Sequence, residues 1–167
     1  MPYISVIGIG SAFGDDRAGW CVAEALAASC EFACYRECVR VTISESPFMD
    51  LWEHLAATQV AIMVDAVRSG AAPGTVYRWD DISAWKNVVR PVSSHGLDLP
   101  TLLELAAVLG QSPPTIILYG IEAGPDSVDV PSMTRASQFA VKRVTADILR
   151  DIAHYCTKKK SPRPSSV

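Results

Sequence analysis

Three strand-sized runs of apolar, largely β-branched residues constrain this chain most: residues 3–10 (YISVIGIG), 59–65 (QVAIMVD) and 115–121 (TIILYGI). Such runs suit parallel strands buried on both faces. Between them lie stretches of helical character: 20–29 (WCVAEALAAS), 47–57 with Pro47 in its first turn, and 100–109 closed by Gly110. A final helix, with Pro131 in its first turn, keeps Val141, Val144, Ile148, Ile152 and Tyr155 at helical spacing. Residues 34–43 (CYRECVRVTI) read as a second strand and 75–79 (TVYRW) as an edge strand, while 80–97 has no regular pattern. Alternating strands and helices predict an α/β fold: a three-layer α/β/α sandwich around a mostly parallel twisted sheet of about five strands.

At 167 residues the chain is expected to form one domain over 1–156, followed by a basic, disordered tail over 157–167. A net charge of −3 gives no reason to expect nucleic acid or an anionic membrane as partner. No run approaches the roughly 20 apolar residues of a membrane span, and the start lacks the basic segment of a secretory signal. A cytoplasmic location is expected, and with it five reduced cysteines, Cys21, Cys30, Cys34, Cys38 and Cys156. Cys30, Cys34 and Cys38 recur every four residues, but without paired CxxC knuckles they read as ordinary core or surface residues rather than a zinc site. His54 and His154 lie on helical patterns and carry no further signal.

Each apolar region leads to a side chain with chemistry. Asp15 and Asp16 follow GIGSAFG, Asp65 ends the second run, and His95 stands in SSHGLDLP. Loops at the carboxyl ends of parallel strands converge on one crevice, so Asp16, Asp65 and His95 can meet there as a divalent-metal site. The glycine-rich start resembles a dinucleotide turn. However, Phe13 holds a glycine position of that fingerprint, and two acids sit where phosphate would dock. One acid is explained by capping the following helix, with Asp15 the better cap and Asp16 the better ligand. No HExxH helix or GxSxG elbow offers a conventional hydrolytic machinery.

Four motifs in register resemble the [NiFe]-hydrogenase maturation endopeptidases. They are Gly8-Ile9-Gly10 with Asp15-Asp16 and Gly19; Val64-Asp65-Ala66 with Pro73-Gly74-Thr75; Ser94-His95-Gly96-Leu97; and Leu118-Tyr119-Gly120-Ile121-Glu122. The resemblance implies a small α/β protease that removes the C-terminal extension of a hydrogenase large-subunit precursor after nickel insertion. It implies that Asp16, Asp65 and His95 meet the metal. Hydrolysis would then rest on a metal-polarised carbonyl or metal-bound water or, alternatively, on Asp16 or Asp65 as catalytic general base, its pKa raised by burial and a like-charged neighbour. The metal is then nickel carried by the substrate, with zinc or another divalent ion as the alternative by donor type. The expected partner is the precursor alone, met by a monomer. Ser11 replaces the family's usual Asn, and Ser44-Glu45-Ser46-Pro47 replaces its Asp-Gly-Gly-Thr element. Those departures suit the alternative, a non-catalytic metal-sensing assembly chaperone of the same fold.

Overall fold

The structure is a computed structural model and describes residues 3–45, 58–80, 90–91, 114–125 and 130–160. The helices expected over 47–57 and 100–109, and the motif with His95, lie outside the described residues. Six strands form one sheet: β1 (Ile4–Ile9), β2 (Val39–Ser44), β3 (Val60–Arg68), β4 (Val76–Trp79), β5 (Arg90–Pro91) and β6 (Thr115–Glu122). Among the described residues two α-helices accompany them, α1 (Ala18–Ala28) and α2 (Arg135–Lys160).

The sheet runs β2-β1-β3-β6-β4, with β5 beside one end of β3. β2, β1, β3 and β6 are parallel; β4 and β5 pair antiparallel. Strand alternation sends Ile4, Val6, Val60, Ile62, Val64, Ile117, Tyr119 and Ile121 to one face, where they pack on Val22 and Leu26 of α1 and Val144, Ile148 and Ile152 of α2. Ser5, Ile7, Met63, Ile116 and Leu118 alternate with them and are buried too, so both faces of the sheet are covered. This double burial is why these strands read as continuous apolar runs. At the far edge, Arg78 of β4 bonds Asp151 of α2 through Nε and a terminal nitrogen, both at 3.2 Å, and fastens the antiparallel strand to the helix layer.

Several boundaries differ from the sequence reading. The second strand begins at Val39, because Glu31–Tyr35, including Cys34, winds into a 3-10 turn closed by the Cys38 N–H on the Tyr35 carbonyl at 2.9 Å. Among the described residues five strands make up the continuous path, as expected, and the two-residue β5 pairs with β3 off it. α2 starts at Arg135, four residues after Pro131. Thr134 caps it, its Oγ1 accepting the Ser137 N–H at 3.3 Å. α2 also continues to Lys160, into the stretch expected to be tail. Among the described residues no helix is long and apolar enough to cross a membrane.

Candidate active site

Among the described residues, the carboxyl end of the sheet has a gap. β1 pairs with β3 only as far as Gly8 opposite Val64. β5 takes up the same side of β3 at Val67 and Arg68. Asp65 and Ala66 fall between the two, while on the other side β6 continues past them through Gly120 and Ile121 to Glu122. Asp65 therefore does not end its strand, as the sequence suggested; three further residues follow it. Among the described residues it sits where β3 has a neighbour on one side only, β6, which keeps the strand extended there.

Chain from the β1 end fills the neighbourhood of this gap. After β1 the backbone turns through Gly10, at φ +146°, into a 3-10 turn over Gly14–Arg17 that leads into α1. The approach is backbone against backbone. A Cβ on Gly10 would lie 1.9 Å from the Asp16 carbonyl oxygen, and one on Gly19 would lie 2.2 Å from the Ile9 oxygen and 2.4 Å from the Val64 oxygen. No side chain larger than hydrogen fits at either place. The Ser11 N–H, 3.3 Å from the Asp16 carbonyl, closes the loop. Asp16 is thereby brought close enough to Asp65 for the two charges to interact.

The acids around this point divide sharply. Asp15 is wholly buried and fully engaged. Its Oδ1 accepts the Thr134 N–H at 2.7 Å, and its Oδ2 accepts the Gly124 N–H at 2.8 Å and the Thr134 hydroxyl at 3.0 Å. It does not cap α1, which has no side-chain cap; it clasps the loop after β6 and the start of α2 instead. Glu122, also buried, accepts the N–H groups of Ser69 (2.9 Å) and Gly70 (3.0 Å) and the Ser69 hydroxyl at 2.7 Å, which shapes the turn after β3. Neither role had a local signature, although Thr134 three residues before Ser137 is a readable cap.

Asp16 and Asp65 contrast with those two. Asp16 is 3% exposed; Asp65 is half-buried as a residue. The Oδ1 atoms of both are buried and have no hydrogen-bond partner among the described residues. Burial, then the charge of Asp16, push the Asp65 carboxyl up to about 7, against a smaller downward pull from the Ala66 N–H. An unpaired buried carboxylate oxygen is costly, and two beside each other more so. A divalent cation would offset both costs, and oxygen donors suit one. Among the described residues the site offers these two ligands and no group of three. His95, expected as the third, lies outside the described residues.

Next to Asp65 the sheet is deliberately thin. Its register partner on β6 is Gly120, whose own partner on β4 is Tyr77. The Trp79 ring lies over this glycine, 2.8 Å from where a Cβ would stand, and stacks on Tyr77 at 5.0 Å. A cleft of about 430 Å³ opens at the carboxyl ends of β3 and β6, lined by Arg68, Gly70, Pro73, Glu122 and Pro125. A larger cavity, about 550 Å³, lies between the Glu31–Tyr35 turn and α2 and is lined by neither acid. The smaller cleft is likewise lined by neither acid; Arg68 and Glu122 tie it to the carboxyl ends of β3 and β6, three residues along β3 from Asp65.

A family model described as HycI, hydrogenase maturation protease, matches residues 45–151, more than half of the chain. That span takes in Asp65 and position 95 but not Asp16. The fold is similar to the hydrogenase maturating endopeptidase HybD from E. coli, with a TM-score of 0.73 and 22% identity over 92% of this chain and 93% of that one. It is also similar to the [NiFe] hydrogenase maturation protease HybD from Thermococcus kodakarensis, at 0.67 and 18% over 89% and 97%. The endopeptidase HycI from Escherichia coli gives 0.62 and 22% over 89% and 90%. At these identities the likeness is one of fold. No curated protein matches the chain in sequence. On the strength of the family model, this chain belongs to the hydrogenase maturation proteases and is a peptide hydrolase.

Proposed function

We propose that this protein removes the C-terminal extension of a [NiFe]-hydrogenase large-subunit precursor once nickel is in place, and that Asp16, Asp65 and His95 meet that nickel. The observation that carries the reading is the pair of buried, unpartnered carboxylate oxygens, Asp16 Oδ1 and Asp65 Oδ1, at the gap between β1 and β5. A precursor without metal would meet two mutually repelling acids. A precursor with metal supplies the positive charge that both lack, so docking and metal loading become one event. Oxygen and imidazole donors suit nickel, and they suit zinc or another divalent ion as a second choice.

Asp65 is the stronger candidate for the proton-transfer role. In the metal-free protein burial and the Asp16 charge hold this carboxyl near 7, matched to proton exchange at neutral pH; a cation meeting the same group would lower it. It would take a proton from the water that attacks the scissile carbonyl and return it to the departing amine. Asp16 raises that basicity through its charge and offers the second oxygen ligand. The 430 Å³ cleft beside Glu122, at the carboxyl ends of the strands that follow Asp65 and Gly120, offers the extended peptide a place on the same end of the sheet. The protein is taken to work in the cytoplasm, as a monomer, on this one partner.

The test is to mix the purified chain with its precursor, either nickel-loaded or nickel-free, and to follow precursor mass. Loss of the C-terminal peptide from the loaded form alone is the expected result. A stable complex with an intact tail would instead make the protein a metal-sensing chaperone. Cleavage of both forms at one rate would separate the protease from metal recognition.

A further inference from the structure

We infer that Cys38 and Cys156 form a redox-responsive thiol pair that closes to a disulfide at the end of the molecule remote from the two acids. Their sulfurs lie 3.3 Å apart although 118 positions separate them in sequence. Cys38 stands just ahead of β2, with its carbonyl accepting the N–H groups of Tyr3 at 2.8 Å and Ile4 at 3.0 Å, so it is fixed to the amino end of β1. Cys156 lies in the last turns of α2. The opposite end of that helix is the one clasped by Asp15.

Geometry and access both favour closure. A disulfide needs sulfurs about 2.05 Å apart, so the pair must approach by only about 1 Å more. Both residues are half-buried, so neither sulfur is sealed inside the core. The remaining cysteines lack this arrangement. Burial pushes the Cys21 thiol up, which lowers its thiolate fraction. Cys30 and Cys34 are exposed, and among the described residues neither has a second sulfur recorded against it.

The oxidant is a low-molecular-weight disulfide such as glutathione disulfide. One thiolate of the pair attacks it, forming a mixed disulfide and releasing one glutathione. The second cysteine then displaces the other glutathione from the mixed disulfide. The two cysteines give up two protons and two electrons, and glutathione disulfide is reduced to two glutathiones. The new bond ties the C-terminal part of α2 to the amino ends of β1 and β2 and restricts the unfolded chain over a long loop. Oxidation thus locks the helix layer onto the sheet.

Intact mass and peptide mapping of the full chain, incubated with glutathione disulfide, test the inference. The expected product has lost two hydrogens, carries a Cys38–Cys156 link that dithiothreitol reverses, and unfolds about 5 °C or more above the reduced form. Cys30→Ser and Cys34→Ser should leave this product unchanged, whereas Cys38→Ser should abolish it. Stable glutathione adducts on Cys38 and Cys156, or a link that uses any other cysteine, would overturn it. Because the mapping is done on the natural sequence, the result stands even if the serine variants fold poorly.

Discussion

Asp15 and Asp16 are neighbours in sequence, buried alike and acidic alike, yet they belong to different regions of the molecule. Asp15 belongs to a clasp, with Glu122 as its counterpart across the turn after β3, and each carboxylate there accepts at least three hydrogen bonds. Asp16 belongs to the gap, with Asp65, and each of those keeps a buried oxygen without a partner among the described residues. Burial of an acid is therefore no guide to its role here; the supply of donors is. Satisfied acids hold loops in place, and the unsatisfied ones are those to which the proposed function assigns the precursor's metal.

The contrast can be broken most directly at the gap. Asp65→Asn and Asp16→Asn should each lower precursor processing by about 10²–10⁴-fold while circular dichroism reports a folded protein, as expected for loss of a proton-transfer group or ligand. Normal processing by either folded variant would remove the site. The clasp should respond in the opposite way. Asp15→Ala strands the N–H groups of Gly124 and Thr134, so a loss of about 3 kcal/mol in denaturant unfolding is expected, with the surviving folded fraction still active.

A pH series sharpens the comparison further. The folded carboxyl of Asp65 sits near 7, above its unfolded value of 3.8. Between those values the unfolded chain gives up this proton while the folded chain keeps it. Asp65 thus destabilises the metal-free protein progressively as pH rises from about 4 to 7, and stability at this group is greatest below the unfolded value. Asp65→Asn should cancel the loss, gaining about 2 kcal/mol over the natural chain by pH 8, a figure discounted for the solvent that reaches this half-buried residue. A constant difference across the series would show that the carboxyl is not perturbed. The smallest effect is expected at the edge of the clasp: Ser69→Ala removes one donor to Glu122 and the acceptor of the Tyr77 hydroxyl, for about 1 kcal/mol in thermal unfolding.

The strands that carry the site were readable because β1, β3 and β6 are covered on both faces and so leave unbroken apolar runs. Asp65 was readable as an acid closing such a run, but the continuation of β3 to Arg68 was not, since it depends on pairing with β6 rather than on any local pattern. Cys34 looked strand-like by alternation and went into a turn closed by two hydrogen-bonding residues that the alternation does not register. The partners of Asp15 lie 109 and 119 positions away, beyond anything spacing can reveal, and so capping was the natural reading of that residue. Gly8 and Gly10 were visible as part of a glycine-rich turn and Gly19 as a member of the first family motif. Their use as bare contact surfaces required the fold.

Gly10 and Gly19 bear on how the acid pair tolerates change elsewhere. The spacing between Asp16 and Asp65 is set by main chain resting on main chain, with no side-chain layer in between. Rotamer fluctuations and sequence drift in the apolar layers, at Val22 or Ile148 for example, have no side chain through which to enter that contact. The core can therefore be rebuilt by many substitutions, each costing stability, while the distance across the pair stays fixed. That separation leaves the placement of the pair to the glycines rather than to the apolar side chains that fill the core.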